Sequence, residues 1–271
     1  MTITAPEAPE LEPVSAGAGT ASRPRSQSSG WVGFVARQSI IPLICGIVLL
    51  LLYFYIQSKT LDSIEKRTVN ATYIHDRMIE HIRLTALASV LIIALSVPLG
   101  ILLTRRRARP LTPVVLALAN IGQATPAIGL LVLLTILTQP GFRTALIGLV
   151  AYSVLPVLRN TIVGIQQVDR SLVDAARGMG MTSRAILAKV ELPLAVPVIL
   201  AGIRTALVLS VGVATLATFV NAGGLGDIIN NGIKLQRTPV LLTGSLLAVV
   251  LALAFDWLGG LAEDLLRPKG L

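Results

Sequence analysis

Few residues in this chain have the type and spacing that bond-making chemistry needs. His75 and His81 share a polar stretch with no cysteine and no carboxylate cluster at ligand spacing, so that stretch predicts no metal centre. The glycine-rich run Gly223-Gly-Leu-Gly-Asp227 lacks the Gly-Lys-Ser/Thr ending of a phosphate-binding loop and follows an apolar run, which makes it a flexible hinge. Ser171-Leu-Val-Asp174 has the form of a helix capping box. Arg204 and Asp256 stand inside apolar runs, where a charge is costly and faces a partner or a water-lined cavity. Asn120, Gln123 and Thr125 lie in another such run beside the helix breakers Gly122 and Pro126. These groups bind, pair and position; they form no catalytic constellation.

The elements that must hold them are membrane spans. The chain has 271 residues, 54% of them hydrophobic and only 14% charged, with a mean hydropathy of +0.77. Its apolar residues are gathered in separate runs long enough to cross a bilayer, which predicts an all-α polytopic membrane protein with six transmembrane helices. The formal charge of +9 comes from basic residues placed beside those runs without interleaved aromatics, a pattern of membrane orientation and not of nucleic-acid binding. Cys45, the single cysteine, lies in an apolar run and reads as a small packing residue.

In chain order, residues 1–37 read as a disordered tail, rich in Pro, Ala, Gly and Ser. A first span over about 39–56 and an outer loop form a unit over 38–80. A core follows over 81–262, with spans at about 84–103, 113–137, 144–163, 196–220 and 240–261 and a polar loop at 164–193; residues 263–271 form a second tail. Arg105, Arg106, Arg107 and Arg109 directly after the second span give the strongest orientation signal. They predict that both termini and the 164–193 loop are cytoplasmic.

That loop predicts two short helices about a glycine hinge. Ser171 opens the first, Gly178 weakens it, and Gly180 suits the left-handed position that ends it. Thr182 caps the second, and Pro193 stops it before the next span. Leu172, Ala176 and Met179 recur at spacings of four and three, an apolar ridge suited to a groove on a partner.

The loop resembles the motif of permease subunits of binding-protein-dependent ABC importers: Glu-Ala-Ala, three residues, Gly, nine residues, Ile, any residue, Leu-Pro. Here Asp174-Ala175-Ala176 is followed after three residues by Gly180, and nine more lead to Val190-Glu191-Leu192-Pro193. Asp stands for Glu and Val for Ile, so Asp174 keeps the carboxylate with a shorter reach. The stretches Pro197-Val-Ile-Leu-Ala-Gly-Ile-Arg-Thr-Ala206, Ala222-Gly-Gly-Leu-Gly-Asp227 and Asn120-Ile-Gly-Gln-Ala-Thr-Pro126 resemble the branch that imports glycine betaine, choline, carnitine or proline betaine.

The resemblance implies a bacterial plasma-membrane permease that binds no cofactor, with ATP bound and hydrolysed by a partner. The implied partners are cytoplasmic ATP-binding cassette subunits, an extracellular or periplasmic substrate-binding protein, and a second or sister permease. Leu172, Asp174, Ala175, Ala176, Gly178, Met179, Gly180, Leu192 and Pro193 are the implied ATPase-coupling residues. For the translocation path the candidates are Asn120, Gln123, Thr125, Tyr152, Arg204 and Phe219. Aromatic residues make up only 4% of the chain, so tight selection of a quaternary ammonium, which favours aromatic cages, is expected on the separate binding protein. An amino-acid importer, for methionine for instance, is the alternative within the family. A self-sufficient secondary transporter is the alternative outside it, and the matched broken helices it requires are not found.

Overall fold

The computed structural model describes residues 30–266, with side chains from Gln38 onward. The predicted N-terminal tail up to residue 29 and the last five residues lie outside the described part. The chain divides into residues 1–37, of which only the start of the first helix is described, and residues 38–271, described below. All regular structure among the described residues is helical.

Among the described residues five helical runs are long and apolar enough to cross a membrane: residues 38–57, 71–104, 142–166, 183–220 and 238–266. They belong to α1 (Gly30–Gln57), α3 (Ala71–Thr104), α6 (Phe142–Gln166), α9 (Leu192–Ala214) with its flanking turns, and α11 (Thr238–Leu266). At 1.5 Å per residue, α3 is about 50 Å long, well beyond the ~30 Å of a hydrocarbon core. It starts at Ala71 and not near Leu84 because the Asn70 side chain accepts from the Tyr73 amide at 2.8 Å and fixes its first turn. The expected outer loop therefore contains helix, including the short α2 (Ser63–Thr68). A reciprocal capping box between Asp62 and Glu65 starts α2, and an Arg237–Asp62 ion pair at 2.9 Å ties it toward α11.

The expected single span over 113–137 is two helices, α4 (Thr112–Ala124) and α5 (Ala127–Leu137), bent by 102°. Pro126 is the cause. It has no amide to continue the ladder and pushes Thr125 into extended backbone, observed at ψ 135°.

At the centre α3, α6 and α9 pack through small residues. A Cβ added at Gly202 of α9 would lie 2.6 Å from Asn160 Cβ and 2.8 Å from the Pro156 carbonyl oxygen on α6. One added at Gly100 of α3 would lie 2.7 Å from Thr161 Cβ. Apolar side chains gain little by leaving lipid for protein, so close backbone approach supplies the contact. Gly202→Val is therefore expected to destabilise the bundle by about 1–3 kcal/mol, the cost of overpacking. Gly46→Ala in α1, with nothing within 4 Å of the new Cβ, should be neutral. Thermal unfolding in detergent checks the contrast, and equal midpoints would refute it.

Helix α1 runs along α11. The Trp257 indole N–H donates to the Gln38 carbonyl at 2.7 Å, and the Gln38 amide donates to Asp264 at 2.5 Å. Leu52 enters the core shared by Ile228, Leu247 and Leu251. The rest of α1 presents Leu43, Leu50, Leu51 and Phe54 outward, as a lipid-facing helix does.

Candidate functional site

The polar loop folds into α7 (Arg170–Gly178), α8 (Ser183–Ile186) and a π-helical turn over Leu187–Glu191 that runs into α9. The cap of α7 is Asp169, not the expected Ser171. The Asp169 carboxylate accepts from the Ser171 amide at 2.8 Å, which places Ser171 inside the first turn and leaves no free amide for a box. That amide, and then the Ser171 hydroxyl, hold the Asp169 carboxyl below the usual carboxylate range. The cap is thus intact at neutral pH and is lost as pH falls through that lowered value. Asp174, released from capping, pairs with Arg177 at 3.2 Å, both about two-thirds exposed.

Gly180 ends α7 at φ +79°. Its amide donates to the Arg177 carbonyl at 2.9 Å and the Met181 amide to Ala176 at 3.1 Å, the paired bonds of a Schellman terminus. Thr182 then caps α8 by accepting from the Ala185 amide at 3.3 Å. Contrary to the expectation from sequence, Pro193 does not stop the helix; the run is continuous from 183 to 220. The π turn widens the ladder ahead of the proline, with the Leu192 amide reaching back to the Leu187 carbonyl. Pro193, which has no amide to donate, sits in the first turn beyond it.

The ridge of α7 divides. Ala176 is 2% exposed, on the side of α7 toward α8 and the π turn. Leu172 and Met179 are 48% and 75% exposed. Asp174, Ala175, Gly178 and Gly180 join them on the open side, whereas Leu192 and Pro193 are half-buried at the root of α9. An open face on α7 is thus backed by one rigid helix. That helix is fastened twice. Glu191 in the π turn pairs with Arg105 at the end of α3 at 2.7 Å. Arg204 forms a two-pronged pair with Asp256 of α11, both contacts 2.5 Å. Gly259 and Gly260 leave room for it, since a Cβ at 260 would lie 3.3 Å from the guanidinium. Glu191 has no sequence signal of its own beyond its place in the motif.

The remaining path candidates are spread out. Asn120 is exposed on α4; Gln123 and Thr125 are half-buried, and the Thr125 hydroxyl donates to the Ile121 carbonyl at 2.7 Å. Tyr152 packs at the edge of the central core, and Phe219 is half-exposed past the end of α9. A cavity of about 220 Å³ between α4 and α6 is lined by Pro113, Leu116, Ala117, Asn120, Leu155 and Arg159. Arg159 is a lining residue that sequence reasoning missed, because a basic residue near a helix end looks like an orientation signal.

The Gly223–Asp227 run, expected to be a flexible hinge, is pinned. Asn221, Gly223 and Gly224 take left-handed φ of 57°, 77° and 93°. The Gly224 amide donates to Glu80 at 2.9 Å, and the Leu225 amide to His81 Nδ1 at 3.3 Å. That leaves the His81 proton on Nε2, which donates to the Val211 carbonyl at 3.2 Å. Arg77 bridges Glu80 and Asp227, each at 2.8 Å, and the Thr218 hydroxyl donates to Asp227 at 2.5 Å. His81 therefore spends both ring nitrogens on backbone and joins α3 to α9 and α10 (Leu225–Lys234).

Residues 96–268 match the model of the family described as binding-protein-dependent transport system inner membrane component. Similar curated proteins include the carnitine transport permease protein OpuCD of Listeria monocytogenes, 38% identical over 73% of this chain and 89% of its own length. The choline transport system permease protein OpuBB of Bacillus subtilis is 40% identical over 71% of this chain and 88% of its own. The osmoprotectant import permease protein OsmW of Salmonella typhimurium is 38% identical over 78% of this chain and 100% of its own. Among solved structures, an inward-facing MetNI methionine ABC transporter superposes with a TM-score of 0.63 at 25% identity, covering 72% of this chain and 97% of that one.

Proposed function

The chain belongs to the family of binding-protein-dependent transport system inner membrane components, and from that premise we propose that it forms the translocation path of an ATP-driven importer for quaternary-ammonium osmoprotectants. The observation that carries the substrate class is the 38–40% identity, over nearly their whole length, to permeases named for carnitine, choline and osmoprotectants. The methionine reading is favoured only by the likeness to MetNI, at 25% identity.

In this reading the end of the bundle that carries α7 and Arg105 to Arg109 faces the cytoplasm, as the positive-inside rule directs. Two ATPases dock on the open face of α7, where Leu172 and Met179 stand exposed. Their closure moves α7 together with the continuous helix from Ser183, because Ala176 keys α7 to that helix. The Glu191–Arg105 and Arg204–Asp256 pairs carry the motion to α3 and α11. The bundle then changes its open side as a bistable unit. ATP is bound and hydrolysed by the partner subunits. A binding protein delivers substrate to the opposite end, where Arg77, Glu80 and His81 hold the glycine-rich loop shut. A second permease, identical or sister, encloses the path against the open sides of α4 and α5.

The test is uptake of labelled glycine betaine, choline and methionine by cells with and without this chain. Loss of betaine or choline uptake with methionine uptake intact is the expected result. Loss of methionine uptake alone would replace the substrate assignment.

A further inference from the structure

Arg159 is the one group lining the 220 Å³ cavity whose charge is unanswered by the chain. Among the described residues no carboxylate lies within ion-pair distance of it, as is also true of Arg67, Arg83, Arg106, Arg107, Arg109, Arg143, Arg170 and Arg184; what sets Arg159 apart is its place in this cavity opposite Asn120. Across the cavity stands Asn120, an exposed amide that donates and accepts; Pro113, Leu116, Ala117 and Leu155 make the rest apolar. The walls are set by packing. A Cβ at Gly122 would lie 2.8 Å from the Ala151 carbonyl oxygen, so α4 and α6 meet backbone to backbone near one end of the cavity. Beneath it Leu103, Leu158 and Ile162 are buried against Leu116 and Ala119. An exposed guanidinium at the edge of a mostly apolar hollow, with an amide opposite, can receive an oxyanion.

Tyr152 lies seven residues before Arg159 on α6, two turns or ~10 Å along the same face. The Tyr152 ring itself packs at the edge of the central core and lies outside the cavity lining.

We propose that Arg159, with Asn120 opposite, is a carboxylate-binding station on the translocation path, which separates betaines and carnitine from choline by the carboxylate that choline lacks. The assignment rests on the importer reading above. A charge-assisted hydrogen bond to the passing carboxylate replaces part of its hydration shell, and choline, with a hydroxyl there, gains little from the same guanidinium.

The experiment is uptake of glycine betaine, carnitine and choline by the complete transporter in proteoliposomes, with wild-type chain, Arg159→Gln, Arg159→Lys and Asn120→Asp. The last places a carboxylate across the cavity to occupy the guanidinium from within. Arg159→Gln and Asn120→Asp are each expected to lower betaine and carnitine uptake about tenfold, the scale of one charge-assisted hydrogen bond. Choline uptake should stay within about twofold, and Arg159→Lys should keep most betaine uptake, both on the same scale. Choline uptake also reports that each variant is assembled. If all three substrates fall together, Arg159 binds a lipid phosphate or supports the fold, and the proposal is overturned. Unchanged uptake of all three overturns it as well. A wild-type transporter that moves none of the three would instead refute the importer reading.

Discussion

Asp256→Ala is expected to destabilise the assembled transporter by about 2–3 kcal/mol, at or just below the low end for breaking a buried ion pair, since both partners keep some exposure. The variant would leave the Arg204 guanidinium between α9 and α11 without its two acceptors. Among the described residues no other carboxylate lies within ion-pair distance of it, Glu263 and Asp264 acting only from farther off, and the shelf formed by Gly259 and Gly260 offers only backbone. Arg204→Ala should be comparably harmful, because Asp256 then stands alone in a span. The double variant Arg204→Leu/Asp256→Leu should recover a large part of the loss, since a matched apolar pair carries no uncompensated charge. Abundance in the membrane and thermal midpoint in detergent measure the three variants. If both single variants match wild type in stability and uptake, the pair fastens nothing and the route from α9 to α11 must run elsewhere.

Gly180→Val should show the opposite profile: intact protein, lost coupling. The residue sits at φ +79° with nothing within 4 Å of an added Cβ, so no collision accompanies the substitution. Only the backbone conformation is affected, by ~1–2 kcal/mol for a side chain in the left-handed region and more for a β-branched one. That is enough to unwind the Schellman terminus whose bonds from Gly180 and Met181 set the angle between α7 and α8. Insertion and abundance should stay near wild type and ATP hydrolysis by the partner should continue. Uptake should fall about tenfold or more, on the scale of a lost 1.4 kcal/mol. Gly180→Asn, which tolerates the same region, should retain most uptake. Normal uptake by the valine variant would remove the coupling role from this turn.

The glycine-rich run shows how far local reasoning reaches. Gly223-Gly-Leu-Gly-Asp227 was readable as a flexible hinge; Gly223 and Gly224 do take left-handed φ, and α10 begins at Leu225. Its rigidity was not readable, because the groups that pin it, Glu80 and His81, lie 144 residues away along the chain. The cap of α7 teaches the converse. Ser171 and Asp174 have the right spacing for a box, but Asp169 competes for the same amide and captures it first. Spacing names candidates, and geometry chooses among them.

By itself the sequence determined what depends on neighbours along the chain: the apolar runs that make spans, the presence of a helix breaker at Pro126, the left-handed end at Gly180, and the spacing from Asp174 to Pro193. Each follows from a local cause, whether hydrophobic length, a missing amide, a missing Cβ or a helical period. Only the tertiary structure decided which face of α7 stays open, that the 113–137 run folds back by 102°, and that Arg204 meets Asp256. It also decided that Arg105 meets Glu191 and that Arg159 is left facing a cavity. These depend on packing between segments distant in the chain. No periodicity records which small residue lets two helices close on each other, or which charge that closure leaves without a partner.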